Sequence, residues 1–168
     1  MCGDLCNAHD PNNLKYASDF IDLITIKNKT PLYLIHGNQE TDAVKLLYQQ
    51  KNVTVHFHPK PLPTLYYTSG VQYEVVGVGY GDVYPVDLAY SKDKILLTHE
   101  PPSVVTIKKM QSKTNLPNAP ILHFCGHLHS IAKITKIGKT QLVQIPTAQY
   151  FRAAICQLPK MKLRFIRF

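Results

Sequence analysis

Residues 120–130 read PILHFCGHLHS, a short apolar run that stops at a glycine followed by two histidines in H-x-H spacing. A run of this kind is typical of a strand buried on both faces, as in a parallel sheet. Residues 94–98 (KILLT) and 31–35 (PLYLI) repeat the pattern, and each is followed directly by a histidine. Helical periods alternate with these runs, so the sequence predicts an α/β fold with a substantial parallel sheet.

The remaining segments extend this prediction along the chain. Asp10-Pro11 resembles a helix N-terminus, and apolar residues at Leu14, Ala17, Phe20, Ile21 and Ile24 indicate the helix that follows. A second helix is expected over 40–50 and a third over 103–113. Alternating or β-branched runs predict further strands at 53–57, 65–68 and 71–78, with hairpins at 131–137/140–145 and 152–158/161–168.

Length and composition exclude several classes of protein. The chain has 168 residues, of which 45% are hydrophobic and 18% charged, so we expect one folded domain over 1–168 rather than disorder. The sequence has neither a run of the roughly 20 apolar residues that a membrane helix needs nor a signal-peptide pattern. Four cysteines without CxxC spacing favour reduced thiols and a cytoplasmic protein. The net charge of +8 favours anionic partners, although lysine-rich surfaces are common.

Residues able to bind a metal follow four of the predicted strands or turns. They are Asp4 in Gly-Asp, Asn38 in Gly-Asn, His99 after KILLT, and the pair His127 and His129 after PILHFC. Taken singly, each is more typical of a turn or a hydrogen-bonded loop residue. Ligands of open α/β sheets, however, bind outside the carboxyl ends of the strands, so we expect these loops to meet at one crevice.

The order of these motifs resembles the calcineurin-like metallophosphoesterase superfamily, from Gly3 through His129. GDLCN, HGNQE, LLTHEPP and CGHLHS match four successive motifs of that family. The resemblance implies a four-layer αββα architecture, a β-sandwich flanked by helices. It also implies a metal-dependent phosphoesterase that hydrolyses phosphomonoesters or phosphodiesters, with a phosphate ester as the substrate.

The resemblance also implies a ligand set. Asp4 would bridge two divalent ions, Asn38, His99 and His127 would complete one site, and His129 would belong to the other. His99 is further placed among the catalytic residues, and Asn38 and His127 at the substrate phosphate. A carboxylate, an amide oxygen and imidazoles suit Mn, Fe, Co, Ni or Zn, and one or two ions are expected. Two ions would clamp a phosphoryl group and generate hydroxide at neutral pH.

Two departures from the family pattern qualify this interpretation. The first motif, Asp-x-His, is absent from the sequence, and with it the first strand-helix-strand unit, so one metal site keeps only Asp4 and His129. His9 and Asp10 are local substitutes, although Asp10 is better explained as a helix cap. The family's histidine after the asparagine is Gln39 here, which cannot transfer a proton near pH 7. His36 is the neighbouring alternative.

The missing unit would leave an open sheet edge, since its strand lies inside the sheet of that family. Three explanations are open: translation starting upstream of Met1, a partner or second copy supplying the missing elements, or a rearranged sheet. We favour the first, because Met1-Cys2 suits a strand end leading into Gly3-Asp4. A fragment of this kind is expected to form a homo-oligomer that covers its open edge.

Two other functions are compatible with the residues. A non-catalytic scaffold protein of the same fold would explain Gln39 and the absent first motif. A nucleic-acid phosphodiesterase is suggested by the basic tail KMKLRFIRF, residues 160–168. Alternation on an edge strand produces that tail pattern without any ligand, so nucleic acid is not the favoured partner.

Overall fold

The computed structural model describes residues 1–6, 11–51, 54–56, 64–82, 94–103, 120–147 and 151–167. In these ranges the helices are α1 (Pro11–Asp22), extended by a π-helical turn (Leu23–Lys27), and α2 (Asp42–Gln50). The strands are β1 (Tyr33–Ile35), β2 (Thr54–His56), β3 (Thr64–Thr68), β4 (Val71–Val78), β5 (Lys94–Thr98), β6 (Leu122–Cys125), β7 (Lys133–Ile137), β8 (Thr140–Gln144), β9 (Arg152–Gln157) and β10 (Lys162–Arg167).

A mixed six-stranded sheet forms the centre of the described structure, in the order β3-β4-β5-β6-β8-β7. Its four inner strands, β4, β5, β6 and β8, run parallel, and β3 and β7 pair antiparallel at the two edges. β1 and β2 form a separate parallel pair, and β9 and β10 an antiparallel hairpin. Cys2 extends the β1 pair through a parallel bridge to Ile35. The predicted α/β class is confirmed.

Strand β1 lies between a helical layer and the six-stranded sheet. It contacts both, because successive side chains of a strand point to opposite faces. Leu34 packs with Ile21 of α1 and with Val44 and Tyr48 of α2. Ile35, one position later, packs instead among residues of the central sheet. The helices, the β1 pair and the six-stranded sheet are therefore three successive layers.

The β9–β10 hairpin covers another part of the same sheet face. Cys156 and Leu163 are opposite each other in the hairpin and contact the core built by Val75, Ile95 and Leu122. Its other face carries exposed Lys162 and Arg164, as expected for an amphipathic hairpin with one wet side. The alternation in the tail therefore has a packing explanation.

Most element positions agree with the sequence prediction, and two details differ. Phe20 was expected on the buried stripe of α1, but it is 40% exposed, and Ala17 and Ile21 fill the core instead. The second helix begins at Asp42 rather than at Glu40, which is buried in the preceding loop. The third helix, apart from Ser103, lies outside the described residues. Among the described helices, none is long and apolar enough to cross a membrane.

Candidate metal centre

Four loops meet at one edge of the structure. β4, β5 and β6 are parallel, so His99 after β5 and His127 after β6 emerge on the same side of the sheet. Asn38 follows β1, and Asp4 follows the Cys2 bridge beside β1. The parallel arrangement therefore brings together residues that are up to 125 positions apart.

The polar atoms of these side chains lie within hydrogen-bond range of one another. Nε2 of His99 is 2.8 Å from Oδ1 of Asn38 and 3.1 Å from Nδ1 of His127. Nδ1 of His127 is also 3.2 Å from Oδ1 of Asn38. Oδ2 of Asp4 is 3.5 Å from Nε2 of His99 and 3.3 Å from Nε2 of His129. All five residues predicted as metal ligands are thus contiguous.

The hydrogen bonding of His99 leaves more acceptors than donors in this cluster. Its Nδ1 lies 2.8 Å from the carbonyl oxygen of Cys2, which can only accept, so in neutral His99 the proton is on Nδ1. Nε2 then offers a lone pair toward Oδ1 of Asn38, also an acceptor, and toward the Asp4 carboxylate. A positive charge between them, either a proton on the ring or a bound cation, removes this conflict.

The donor set and its spacing fit a divalent ion. Ligand atoms ~2.1 Å from a common ion are separated by roughly 3.0–3.4 Å in octahedral or tetrahedral geometry, close to the distances between the Asn38, His99 and His127 atoms. Among the described residues, no three His, Cys, Asp or Glu side chains by themselves form a group that could hold a metal ion. The triangle of donor atoms is completed by the amide oxygen of Asn38, together with His99 and His127.

The environment of His129 differs from that of His99. His99 is fully buried, whereas the His129 side chain is 48% exposed and contacts this cluster through Oδ2 of Asp4. The predicted second site therefore has two candidate ligands, Asp4 and His129, within the described ranges. His9 and Asp10, the proposed substitutes, lie outside them.

Unusual backbone conformations occur at the candidate ligands and next to them. Gly3, Asp4 and His127 all have positive φ angles, of 80°, 55° and 65°. Asp and His adopt this region more readily than most residues, yet each still costs of order 1 kcal/mol. At Gly3 a Cβ would lie 2.6 Å from Nδ1 of His99 and 2.7 Å from Cα of Gly37, so only glycine fits. Strain of this kind concentrates at functional sites.

Glu40 is a buried carboxylate that joins the first two ligand loops, and sequence reasoning missed it. Its Oε1 accepts from the backbone N–H of Leu5 at 2.9 Å and from the Tyr48 hydroxyl, and its Oε2 accepts from the N–H of Gly37. Burial, reinforced by the nearby Glu40 charge, raises the pKa of Tyr48, so the hydroxyl stays a donor. The signal in the sequence was the position of Glu40, two residues after Asn38.

Gln144 has the corresponding role for the His127 loop, and it was also missed. Its Nε2 donates to the carbonyl oxygen of Gly126, and its Oε1 accepts from Sγ of Cys125 at 3.2 Å. Burial raises the pKa of Cys125, which keeps this thiol protonated as a donor. The amide of Gln144 therefore binds the two residues that precede His127.

Gln39, at the position of the family's histidine, and His36, its neighbouring alternative, lie in different surroundings. Gln39 is exposed, and its backbone N–H donates to Oδ1 of Asp4 at 3.0 Å, so it holds the carboxylate through the main chain. His36 is buried, and its Nε2 lies 3.2 Å from the carbonyl oxygen of Tyr80. That contact directs His36 to the β4 loop rather than to the ligand cluster.

Comparison with known proteins supports the fold. No family model and no curated protein sequence matches this chain. The crystal structure of TT1561 of Thermus thermophilus matches over 98% of this chain and 83% of its own, with a TM-score of 0.64 and 16% identity. A second solved structure matches over 95% and 77%, with a TM-score of 0.59 and 14% identity. At these identities the similarity establishes a shared fold.

Proposed function

We propose that this chain is a metal-dependent phosphoesterase of the calcineurin-like type, with the αββα architecture, that hydrolyses phosphomonoesters or phosphodiesters. The observation that carries the proposal is the convergence of Asn38 Oδ1, His99 Nε2 and His127 Nδ1 within 2.8–3.2 Å of one another. These atoms come from three loops, and Asp4 adds a carboxylate next to them. The motif order that predicted this grouping supports the same function.

Asn38, His99, His127 and Asp4 would hold one divalent ion, Mn, Fe, Co, Ni or Zn. Such an ion supplies a hydroxide at neutral pH and positive charge for the phosphoryl oxygens. The carbonyl of Cys2 fixes the tautomer and orientation of His99, as the outer partners of metal-bound histidines do. Asp4 and His129 would form a weaker second site. Exposed Asn38 and half-buried His127 would contact the substrate phosphate, since both border solvent more than His99 does.

Gln39 limits what this site can do. Its side chain can donate a hydrogen bond but no proton near neutral pH, and loss of a general acid typically costs a factor of about 10²–10⁴ in rate. The proposed enzyme therefore favours esters with good leaving groups, which depart without being protonated. A non-catalytic scaffold is the second candidate, and the exposed Gln39 at the position of the family's histidine is the observation that favours it.

Hydrolysis of p-nitrophenyl phosphate and bis-p-nitrophenyl phosphate with added Mn²⁺ tests the proposal. We expect metal-dependent hydrolysis that His99→Ala and Asp4→Asn each reduce at least a hundredfold. Asp42→Asn, which changes a fully exposed side chain on α2, is the matched control and leaves the rate unchanged. Mn²⁺ binding without hydrolysis of either ester would favour the scaffold instead.

A further inference from the structure

A tyrosine outside the predicted ligand set lies against two of the candidate ligands. Tyr80 follows β4, the parallel neighbour of β5, so it emerges at the same edge as His99. Its ring is edge-on to the His99 ring, with centroids 5.8 Å apart and an interplanar angle of 83°. Against His127 it is offset-stacked, at 6.2 Å and 24°. Tyr80 thus forms an aromatic wall beside the metal centre.

The backbone fixes the position of this wall. The N–H of Tyr80 donates to the carbonyl of His36 at 3.0 Å, and the Tyr80 carbonyl is 3.2 Å from Nε2 of His36. A Cβ on Gly79 would overlap the His36 imidazole, so the chain passes this ring closely. The N–H of Gly79 also donates to Oδ2 of Asp82 at 2.9 Å. The loop is therefore held on both sides of Tyr80.

Despite these contacts, Tyr80 remains 45% exposed. A tyrosine that only oriented His127 would gain most by burying its ring, because a buried aromatic side chain contributes a few kcal/mol of transfer free energy. An ordered ring that borders a phosphate site and keeps accessible surface instead resembles a stacking platform. Planar ligand groups bind such platforms through their π faces, whatever their detailed chemistry.

We propose that the exposed surface of Tyr80 binds a planar aromatic or heteroaromatic group of the phosphoester. This inference rests on the proposed function and names the substrate class of the same site: aryl phosphate esters or nucleotides. It is consistent with Gln39, because aryl oxides are good leaving groups and depart without a proton donor. Stacking on one aromatic side chain is worth about tenfold in affinity.

Calorimetric titration of the Mn²⁺-loaded protein with two inert phosphonates tests the inference without relying on turnover. We expect phenylphosphonate to bind about tenfold tighter than methylphosphonate in the wild type and in Tyr80→Phe. In Tyr80→Ala the ratio falls to about one. A role confined to orienting His127 would weaken both ligands equally and leave the ratio intact. Tyr16→Ala, which removes an exposed tyrosine on α1, is the control and keeps the wild-type ratio.

A second pair of ligands distinguishes the two sources of an aromatic group. The phosphonate analogue of AMP, compared with that of ribose 5-phosphate, places the ring one sugar away from the phosphorus. If the wild type binds the aromatic member of either pair more tightly and Tyr80→Ala does not, the inference is supported. The pair that shows this effect identifies whether the aromatic group comes from an aryl ester or from a nucleotide. If methylphosphonate binds but the affinity ratios of both pairs are the same in wild type and Tyr80→Ala, the inference is overturned and the proposed function is not. Failure of wild-type protein to bind methylphosphonate overturns the proposed function, and the inference with it.

Discussion

The Nδ1 atom of His99 lies 2.8 Å from the carbonyl oxygen of Cys2, a residue 97 positions earlier in the chain. This bond places the lone pair of Nε2 toward Asn38 and His127, and it links the first extended segment to the end of β5. The same bond explains why Gly3 must be glycine, since a side chain there would meet the His99 ring. Ligand orientation and folding of residues 1–3 are therefore coupled.

Replacement of Gly3 by alanine should cost more than any substitution at an unconstrained glycine. Gly3→Ala combines a φ of 80° with a Cβ 2.6 Å from Nδ1 of His99. Gly70→Ala, at a φ of 75° with nothing within 4 Å, isolates the backbone cost of about 1–2 kcal/mol. We expect urea denaturation to show a larger loss of unfolding free energy for Gly3→Ala than for Gly70→Ala. Equal losses would show that the approach to His99 is easily relieved.

Glu40→Gln should destabilise the protein by about 1–3 kcal/mol per hydrogen bond lost. The carboxylate accepts from the N–H of Leu5, the N–H of Gly37 and the Tyr48 hydroxyl, whereas an amide would direct N–H donors at donors. Tyr48→Phe removes one of these bonds and should lose less. The midpoint of urea unfolding measures both variants. An unchanged midpoint for Glu40→Gln would contradict the role of Glu40 in linking the loops that carry Leu5 and Gly37.

The two candidate sites should differ in metal affinity. His127→Ala removes one of three donors in the Asn38–His99–His127 triangle. Loss of an outer partner of a metal-bound histidine already costs roughly 10–100-fold in affinity, so we expect calorimetry to show a loss of Mn²⁺ affinity of at least about 100-fold. His129→Ala affects an exposed side chain that contacts Asp4 and should change the tighter binding step by less than a few fold. The reverse ranking would place the principal ion at His129.

Stability should depend on pH through His123. Burial lowers the pKa of this imidazole to about 3 from its ordinary 6.5, and its Nε2 lies 2.9 Å from Oγ1 of Thr98. Between these values the unfolded chain binds a proton that the folded chain does not, so stability is full above pH 6.5 and falls toward pH 3. The loss at the low-pH end is of order 4–5 kcal/mol.

A His123→Gln variant isolates this effect, since glutamine keeps a donor for Thr98 but does not titrate. As pH falls from about 6.5 to about 4, we expect the unfolding free energy of the wild type to fall by more than that of the variant. The carboxylates titrate in both proteins and cancel in the comparison. Parallel curves over that range would mean that His123 is protonated without cost in the folded state.

Sequence patterns predicted the elements because period and burial are local properties. The β-branched run over 71–78 appears as β4 with the predicted bounds, and KILLT over 94–98 as β5. Phe20 was misplaced because the apolar stripe of α1 is wider than the surface available to it, and Ala17 and Ile21 are the residues that become buried. Periodicity indicates which residues are able to be buried, whereas the neighbouring layer selects among them.

The amino-acid sequence by itself determined the α/β class, because hydrophobic period is a local property. The order of its motifs, through the resemblance to a known family, predicted the five residues of the candidate metal centre. Only the tertiary structure decided how those residues are held. Glu40, Gln144 and Tyr80 act on the site across other loops, and the carbonyl of Cys2 carries no side-chain signal at all. Contacts of this kind depend on which strands become parallel neighbours, and that choice is made by the packing of the whole chain.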